Sequence, residues 1–424
     1  MQLKAQSLKF KTDMQLPSHI NHSLRSKAIS AGGLPLSMIP SFRLIEDELE
    51  QVKRLIDEQL AEAREPVGRL LRNVNICSGK MIRPGLVLLS YRVVLDGPCA
   101  NGLSTKSAEN AEKRPKLSKS STFVDSAVSD NQHDSHYDAI CVAAIVELIH
   151  NATLLHDDVI DGGQKRRGLP TVNNLCGNES AVLLGDFLLS KAFKICAKLD
   201  PEITNIVAGT AVRVCEGELG QIAQRQNWQL SESEYINIIT EKSASLFSSC
   251  CLLGGLLAGA SESQIRSLAE FGLNAGIAFQ ITDDLLDIIG DESKTGKTLG
   301  SDIDKNKLTL AVIHLLRAVD EEEKSAVINS YLLNPVRDSV TRDNVIQKGG
   351  ISKGLNHEAC LERDARCGKE SLAEILERFG SFKYAYGRVQ EFVTKALNAL
   401  TDLQESEARE AVIETAKFIG ERAI

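Results

Sequence analysis

The sequence predicts an all-α protein, and three observations support this fold class. Apolar residues recur at steps of three and four along most of the chain, as they do on one face of a helix. Alternating apolar and polar runs bounded by turns, the pattern of half-buried strands, are hard to find. Hydrophobic residues make up 43% of the 424 residues, which is ample for a core. We therefore predict a protein built from helices.

The helical pattern begins after residue 40 and continues through most of the chain. The first predicted helix has Ser41 as its N-cap, and its apolar positions are Phe42, Ile45, Leu49, Val52, Ile56 and Leu60. Further helical stretches are predicted at Leu86–Val94, Ile140–Leu155, Val182–Ala197, Ile203–Ile222, Ile236–Leu257, Ile265–Ile289 and Leu308–Leu316.

Three segments lack this periodicity. Residues 1–40 are basic and poor in acidic residues, and three prolines interrupt any amphipathic helix there. We predict a disordered tail, with an organelle transit peptide as the alternative. Residues 96–136 and 338–370 are polar and are predicted to be surface insertions. A single domain over residues 41–424 fits this organisation, because no shift in composition separates two similar halves.

Composition excludes several classes of partner and site. A net charge of -8 argues against nucleic acid or an anionic membrane as a general partner. Ten cysteines with no CxxC spacing suggest reduced thiols in a reducing compartment, not a disulfide framework or a zinc site. No apolar run is long enough to cross a bilayer, and the longest candidate is Cys250–Ala260. We therefore expect no integral membrane segment.

An acidic motif stands out in the segment Leu148–Thr171, where aspartates and adjacent arginines follow an apolar run. On a helix, residues four apart are neighbours, so Asp157 and Asp161 point the same way while Asp158 is turned aside. Two carboxylates so placed can share a hard cation such as Mg²⁺, which is typically held by carboxylates and substrate phosphates. A solvated acidic face is the alternative for one such motif.

The same DDxxD pattern returns in a second apolar stretch, with Asp283, Asp284 and Asp287. Aspartates are rarely buried unless they are paired or bind a metal, so a second solvated face is a poor explanation. Two such motifs on separate helices could face each other across a cavity and hold several Mg²⁺ ions. The pair therefore predicts a diphosphate site.

Five motifs of the chain resemble those of the trans-polyprenyl diphosphate synthases of the isoprenoid synthase superfamily, and they occur in the order of that family. They are GKMIRP at 79–84, DDVID at 157–161, RRGLPT at 166–171, KSASLF at 242–247 and FQITDDLLD at 279–287. The resemblance implies an antiparallel helical bundle around a deep central cavity. It also implies a Mg²⁺-dependent prenyltransferase that adds isopentenyl diphosphate head-to-tail to an allylic diphosphate.

The resemblance further implies two separate diphosphate sites. The diphosphate of isopentenyl diphosphate would be bound by Lys80, Arg83, His150 and Arg167. The allylic diphosphate would be contacted by Arg166, Lys242, Ser243, Gln280 and Lys297. Mg²⁺ would bridge the allylic diphosphate to Asp157, Asp161, Asp283 and, through water, Asp287. The predicted catalytic residues are Asp157, Asp161, Asp283 and Lys242. Asp302 and Lys307 follow in a polar loop that either closes over the site or is a surface loop.

Product length is predicted from the residues that precede Asp157. In the family, short-chain enzymes place a Phe or Tyr at the fifth residue before the first DDxxD, and here that residue is Ala152. Helix geometry alone does not single out Ala152, because Thr153 lies closer to the direction of Asp157 and Ile149 lies nearer the flank. No aromatic residue occurs between Tyr137 and Asp157. We therefore expect a long-chain product, of the kind that becomes a quinone side chain or a bacterial carrier precursor.

Several alternatives are weighed against this interpretation. A terpene cyclase or head-to-head synthase would not be expected to carry both GKMIRP and a complete second DDxxD. A noncatalytic subunit of a heteromeric prenyl synthase would be expected to have eroded aspartates, and a purely structural helical protein would need five motifs by chance. A shorter, farnesyl or geranylgeranyl product remains open. The resemblance also implies a homodimer, and we expect a cytoplasmic protein, or a mitochondrial or plastid one if the tail is a transit peptide.

Overall fold

The structure, a computed structural model, describes residues 40–71, 79–96, 134–166, 168–289, 301–332 and 371–422. A 3₁₀ turn at Pro40–Ile45 precedes the first helix, and π-helical segments lie at Thr240–Ala244 and Ile328–Leu332. The α-helices are α1 (Glu46–Ala61), α2 (Val67–Leu71), α3 (Ile82–Leu95), α4 (Ser135–Ile160), α5 (Val172–Cys176), α6 (Asn178–Cys196), α7 (Pro201–Ala223), α8 (Glu232–Ile239), α9 (Ser245–Leu257), α10 (Glu262–Ile289), α11 (Ser301–Asp304), α12 (Leu310–Ala318), α13 (Glu321–Val327), α14 (Leu372–Arg378), α15 (Ser381–Ala399) and α16 (Glu407–Glu421).

The predicted all-α class is confirmed. The only strands in the described ranges are two residues long, β1 (Lys165–Arg166) and β2 (Leu169–Pro170), and they form one antiparallel hairpin. The hairpin connects α4 to α5, so it carries part of the RRGLPT motif away from the end of α4.

Helix α4 is the centre of the bundle, and the first DDxxD motif lies at its C-terminal end. Asp134 caps its N-terminus, where the carboxylate accepts a hydrogen bond of 3.0 Å from the backbone N–H of His136. The helix packs against α1, α3, α6 and α9, and every residue from Asp138 to Ile149 is buried. A helix that is apolar all round is expected in the core of a large bundle.

By length and composition alone, α4 could also cross a membrane. This differs from our sequence expectation, because polar residues such as Glu147 and Asn151 interrupt the apolar run without preventing a high average hydropathy. Of the most apolar 18-residue window of the helix, 78% is buried inside the protein. That burial is the behaviour of a core helix.

Helix α10, which carries the second DDxxD motif, spans 28 residues and packs along α9 and α15. The C-terminal helix α16 packs against α3, α10 and α15. Buried apolar residues from α1 to α16 join in one hydrophobic core. The chain therefore brings its last helix onto the two helices that carry the GKMIRP and FQITDDLLD motifs.

Two details of the sequence prediction are wrong. Ser41 does not cap a helix: it is buried in the 3₁₀ turn, where its hydroxyl lies 3.3 Å from that of Thr415, and α1 begins only at Glu46. The predicted helix Ile236–Leu257 is not continuous, because the π segment Thr240–Ala244 separates α8 from α9.

The non-helical segments fall mostly outside the described residues. Residues 1–39, 97–133 and the whole of 338–370 lie there, as do Arg167 and Lys297 of the predicted diphosphate sites. At the border of the first insertion, Ser135 and His136 belong to α4 and not to the insertion.

Candidate active site

The first aspartate motif separates its three carboxylates, as its helical spacing predicts. Asp158 is buried and forms an ion pair with Arg166, whose Nη2 lies 2.8 Å from Oδ1 and whose Nε lies 3.0 Å from Oδ2. This pair fastens the β1–β2 hairpin to the end of α4. The structure therefore places Arg166, which we predicted at the allylic diphosphate, against the aspartate that is turned aside.

Asp161 lies one residue beyond α4 and is surrounded by cations from two distant segments. Its carboxylate accepts hydrogen bonds of 2.7 Å from Lys307 Nζ and 3.0 Å from Arg225 Nη2, and Lys305 Nζ lies 3.9 Å away. Burial by itself raises the pKa of Asp161, but the charges of Lys307 and Lys305 outweigh it and the net pKa is lowered. Asp161 is therefore held in its ionised form.

Asp157 has the opposite electrostatic environment. Burial is the main cause that raises its pKa, and the carboxylates of Glu218 and Asp161 add to the shift. The charge of Lys242 is the largest effect that opposes this shift. Lys242 forms an ion pair with Glu218 and donates a hydrogen bond of 2.8 Å to Gln221. Burial lowers the pKa of Lys242, but the charges of Asp157 and Glu218 raise it by more. The net pKa is therefore raised, and the ammonium stays charged. A divalent cation beside Asp157 would stabilise its ionised form.

The KSASLF motif begins inside the π segment, which is where the predicted helix is interrupted. π segments within helices are frequent at functional sites, because they displace side chains from the regular helical positions. Here the segment carries Lys242 and Ser243 and packs against α7. Gly217 of α7 permits this approach, because a Cβ at that position would lie 2.2 Å from the backbone nitrogen of Lys242.

In the second aspartate motif, as in the first, the middle aspartate is buried and is set apart from the other two. Asp284 is buried and accepts hydrogen bonds of 2.6 Å from the Tyr235 hydroxyl and 2.8 Å from Gln280 Nε2. Burial, and secondarily the charge of Asp302, raises the pKa of Asp284 to about 8. The Ser243 hydroxyl donates to Gln280 Oε1 at 2.6 Å, so this chain of hydrogen bonds joins α8, the π segment and α10.

The other two aspartates of the second motif have partners on later segments. Asp283 Oδ1 accepts a hydrogen bond of 3.0 Å from Arg422, which follows α16. Asp287 Oδ2 accepts one of 3.0 Å from the backbone N–H of Asp302 in α11. The loop after the second motif is therefore tied to both aspartate motifs, through Asp302 at one end and Lys307 at the other.

A set of cations lies beside the second aspartate motif. Arg83 Nη1 is 3.0 Å from His150 Nε2, which confirms that α3 and α4 bring these two predicted residues together. The Arg83 guanidinium lies over Phe247, at 4.9 Å, and the Lys80 ammonium lies over Phe418, at 4.7 Å. Burial, followed by the charge of Arg422, lowers the pKa of Lys80 to about 8. An anion bound among these cations would favour the charged form of Lys80.

The predicted chain-length residues differ in exposure. Ala152 and Ile149 are 0% and 3% exposed, so neither side chain faces open space in this structure. Thr153 is partly exposed, and its hydroxyl donates to the backbone oxygen of His150 at 2.8 Å. Thr153 therefore lies on the open side of α4, one turn before Asp157.

Sequence reasoning missed several residues of the site. Glu218 and Gln221 lie three residues apart on α7 and contact Lys242, and Arg225, in the turn just beyond the end of that helix, contacts Asp161. That spacing of polar residues was a readable signal. Arg422 had none, because only the packing of α16 brings it to Asp283.

The carboxylates suit a hard divalent cation, although they are not a preformed cage. In the described ranges, no three Asp, Glu, His or Cys side chains are close enough together to hold a metal ion. Oxygen donors at the ends of α4 and α10 are what Mg²⁺ prefers, and it commonly takes one or two carboxylates together with substrate phosphates. Burial is the main cause of the raised pKa of Asp157, and the carboxylates of Glu218 and Asp161 add to it, so a cation beside Asp157 would favour its ionised form. The residues therefore fit a metal that arrives with a diphosphate.

Comparisons with known proteins point to one family. A model of the polyprenyl synthetase family matches residues 67–345. The chain is 30% identical over 386 residues to the short chain isoprenyl diphosphate synthase of Methanothermobacter thermautotrophicus, covering 89% of this chain and 98% of that protein. It is 32% identical over 285 residues to the octaprenyl diphosphate synthase of Haemophilus influenzae, covering 67% of this chain and 78% of that protein.

A solved structure extends the comparison to the fold. The crystal structure of a polyprenyl synthase from Caulobacter crescentus, complexed with calcium and isoprenyl diphosphate, matches with a TM-score of 0.67 and 25% identity. The match covers 93% of this chain and 99% of that one. The chain belongs to the polyprenyl synthetase family, and it is a trans-prenyltransferase of the polyprenyl diphosphate synthase type.

Proposed function

We propose that this enzyme condenses isopentenyl diphosphate head-to-tail with an allylic diphosphate, in a Mg²⁺-dependent reaction, and that its product is a long-chain all-trans polyprenyl diphosphate. The observation that carries the proposal is that two unlike sets of charges lie close together, since the charge of Asp283 acts on the ammonium of Lys80. The aspartates at the ends of α4 and α10 suit a metal-bound diphosphate, while the cations Lys80 and Arg83 suit a diphosphate without metal. A condensation of two diphosphates needs one site of each kind.

The cation set would bind isopentenyl diphosphate and keep its diphosphate intact. Lys80 supplies an ammonium, and Arg83, fixed by His150 and by the Phe247 ring, supplies a planar guanidinium that suits two phosphate oxygens. Arg167, which lies outside the described residues, is proposed for the same diphosphate on the strength of its motif. Because these groups neutralise the diphosphate without metal, they favour its binding over its departure.

The aspartate set would hold Mg²⁺ through Asp157, Asp161 and Asp283, with Asp287 acting through water. When bound, Mg²⁺ supplies positive charge that stabilises the departing diphosphate of the allylic substrate. A calcium ion and isoprenyl diphosphate are present together in the Caulobacter structure, which supports a divalent cation here. Among the residues of this chain, Lys242 remains protonated beside Asp157 and can add a further positive charge to the leaving group.

Carbon–carbon bond formation then needs little from the protein beyond alignment. Once the allylic C–O bond ionises, the alkene of isopentenyl diphosphate attacks the allylic cation, and loss of a proton completes the addition of five carbons. Ser243 and Gln280, joined at 2.6 Å, place oxygen atoms next to the Lys242 segment. The departing pyrophosphate is the proposed base.

The long-chain product is proposed from the small residue at Ala152 and the absence of aromatic side chains over the last turns of α4. The two relatives described above differ in this property, since one is a short-chain enzyme and the other an octaprenyl diphosphate synthase. Similarity to these relatives therefore does not decide between a long and a short product, and the mass of the product must be measured.

A homodimer is proposed from the surface of α6 and α7. Large apolar side chains on these two helices are exposed, namely Val182, Leu183, Phe193, Val212 and Leu219. Exposed apolar patches of this kind mark contacts with other proteins, and identical subunits most often pair through one shared patch. We propose the cytoplasm as the location of the dimer, with an organelle as the alternative if residues 1–40 are a transit peptide.

The deciding experiment uses the purified full chain without any partner protein. It is incubated with Mg²⁺, isopentenyl diphosphate and farnesyl diphosphate, and the products are identified by mass. We expect a ladder that ends above geranylgeranyl diphosphate. A product of geranylgeranyl length would establish the shorter-chain alternative, and a lack of turnover that a second subunit restores would establish a heteromeric enzyme.

A further inference from the structure

Arg422, the residue directly after α16, is placed between the two sets of charges. Its Nη2 donates to Asp283 Oδ1 at 3.0 Å, and its guanidinium lies over the Phe279 ring at 4.8 Å. In the part of the chain that the structure describes, its Nη1 is buried without a hydrogen-bond partner. A buried guanidinium N–H without an acceptor is costly, so this group is suited to a ligand that supplies one.

The same guanidinium is also close to the cation set. Burial is the main cause that lowers the pKa of Lys80, and the charge of Arg422 is the second. The Phe279 ring that Arg422 covers also lies 5.9 Å from the Arg83 guanidinium. Arg422 therefore contacts an aspartate of the proposed metal site on one side and borders the proposed isopentenyl diphosphate site on the other. The ion pair is shielded, since the side chains of Arg422 and Asp283 are only 19% and 24% exposed.

We propose that Arg422 couples the two diphosphate sites. It is the counterion of Asp283 while the metal site is empty. When Asp283 becomes a metal ligand, Arg422 transfers to the diphosphate of isopentenyl diphosphate. The proposal rests on the two-site function described above. It assigns to the C-terminal arginine a role as a positioning residue that links the occupancy of one site to the affinity of the other.

The exchange predicts that each of the two ligands increases the affinity of the enzyme for the other. Arg422 competes for Asp283, so it weakens the binding of the metal and the allylic diphosphate to the otherwise empty enzyme. Isopentenyl diphosphate relieves this competition by accepting the guanidinium. Coupling of this kind is reciprocal, so each ligand must tighten the other by the same factor, typically about 5-fold to 150-fold.

The test measures binding and not turnover. The allylic site is filled with Mg²⁺ and farnesyl thiolodiphosphate, an analogue whose C–S bond resists ionisation, and the affinity for isopentenyl diphosphate is measured by calorimetry with and without it. In the wild-type enzyme we expect the analogue to tighten isopentenyl diphosphate binding at least about 5-fold. In Arg422→Gln we expect that factor to fall close to one.

The variant should also show an effect that a merely structural residue would not produce. With no isopentenyl diphosphate present, Arg422→Gln should bind Mg²⁺ and the analogue more tightly than the wild type does, because Asp283 has lost its competitor. Arg422→Lys should restore part of the coupling. Lys417→Gln, which removes an exposed cation from the same helix, is the matched control and should behave like the wild type.

Several results would overturn the proposal. One is an unchanged coupling factor in Arg422→Gln. Another is an equal loss of isopentenyl diphosphate affinity with and without the analogue, which would make Arg422 a simple ligand of that substrate. Weaker binding of Mg²⁺ and the analogue in the variant, or no coupling in the wild type, would also refute it. Failure of the proposed function itself is distinct, since the wild-type enzyme would then not elongate farnesyl diphosphate.

Discussion

Lys307 donates a hydrogen bond of 2.7 Å to Asp161 across 146 residues of sequence. The lysine is 7% exposed, so the polar loop after the second aspartate motif is not simply a surface loop at this end. Asp302, at the other end of the described part of that loop, bonds to Asp287. The loop therefore connects the end of α4 to the end of α10, and its residues Asp302 and Lys307 belong to the site.

Lys307 is expected to contribute to allylic substrate binding. Lys307→Met removes a buried charge beside Asp161 and leaves that carboxylate with Arg225 and Lys305. Because Arg225 and Lys305 still compete with the metal for Asp161, we expect the loss of a positive charge next to the allylic diphosphate to dominate, and the KM for the allylic substrate to rise about tenfold, which corresponds to about 1.4 kcal/mol. Steady-state kinetics measures the change, and Lys383→Met, at an exposed position on α15, is the control. An unaltered KM would show that the lysine serves only to hold the loop.

Asp157 is expected to be essential for metal-dependent turnover. Asp157→Asn keeps the shape of the side chain but removes its charge, so it should lower kcat at least about a hundredfold at saturating Mg²⁺. The buried Asp157 carboxylate has a raised pKa, so its replacement should not destabilise the fold. Thermal unfolding of the variant checks this point. Wild-type turnover by Asp157→Asn would refute the metal assignment, and so would wild-type turnover by Asp283→Ala.

The two diphosphate sites should respond separately to mutation of the cation set. Lys80→Ala or Arg83→Ala removes charge-assisted hydrogen bonds that contribute about 1.5–3 kcal/mol each. Isopentenyl diphosphate binding should therefore weaken about 10-fold to 100-fold, while binding of the allylic analogue changes little. Calorimetric titration with each ligand measures both affinities. Equal losses for the two ligands would contradict the division into two sites.

Substitution of Gly217 tests whether close packing of α7 against the π segment positions Lys242. Gly217→Ala adds a methyl group that would meet backbone atoms of the π segment, the nearest at 2.2 Å. We expect the free energy of unfolding to fall by about 1–3 kcal/mol, as for other overpacked cores, and kcat to fall with it. Gly220→Ala is the matched control, because nothing lies within 4 Å of a Cβ there, and it should be neutral or stabilising. Equal stability of the two variants in denaturant titrations would contradict this account.

Product length tests the path of the growing chain along α4. Ala152→Phe should shorten the product towards farnesyl or geranylgeranyl length if the tunnel passes that side chain, although Ala152 is fully buried here. Thr153→Phe places the same ring on the open side of the helix, one turn before Asp157. Mass analysis of the products separates the two cases. If neither variant changes the product, α4 does not line the tunnel.

The sequence by itself determined the local features of this protein. Helical periodicity fixed α4, α7 and α10, and the spacing of each DDxxD motif placed one aspartate, Asp158 or Asp284, away from the other two. These features depend on backbone hydrogen bonds and on side chains three and four residues apart, so short stretches of sequence are enough to predict them. The grouping of Arg83 with His150 came from the resemblance to the family and not from local spacing.

Only the tertiary structure decided which charges meet. The pairs Asp161–Lys307 and Asp283–Arg422 join residues more than a hundred positions apart, and no local pattern predicts them. The hairpin also pairs Arg166 with Asp158, a contact that the sequence by itself did not predict. The π segment under Lys242 likewise depends on the close approach that Gly217 allows. Such contacts arise from how whole helices pack, and the free energy that fixes them is distributed over a core to which nearly every helix contributes.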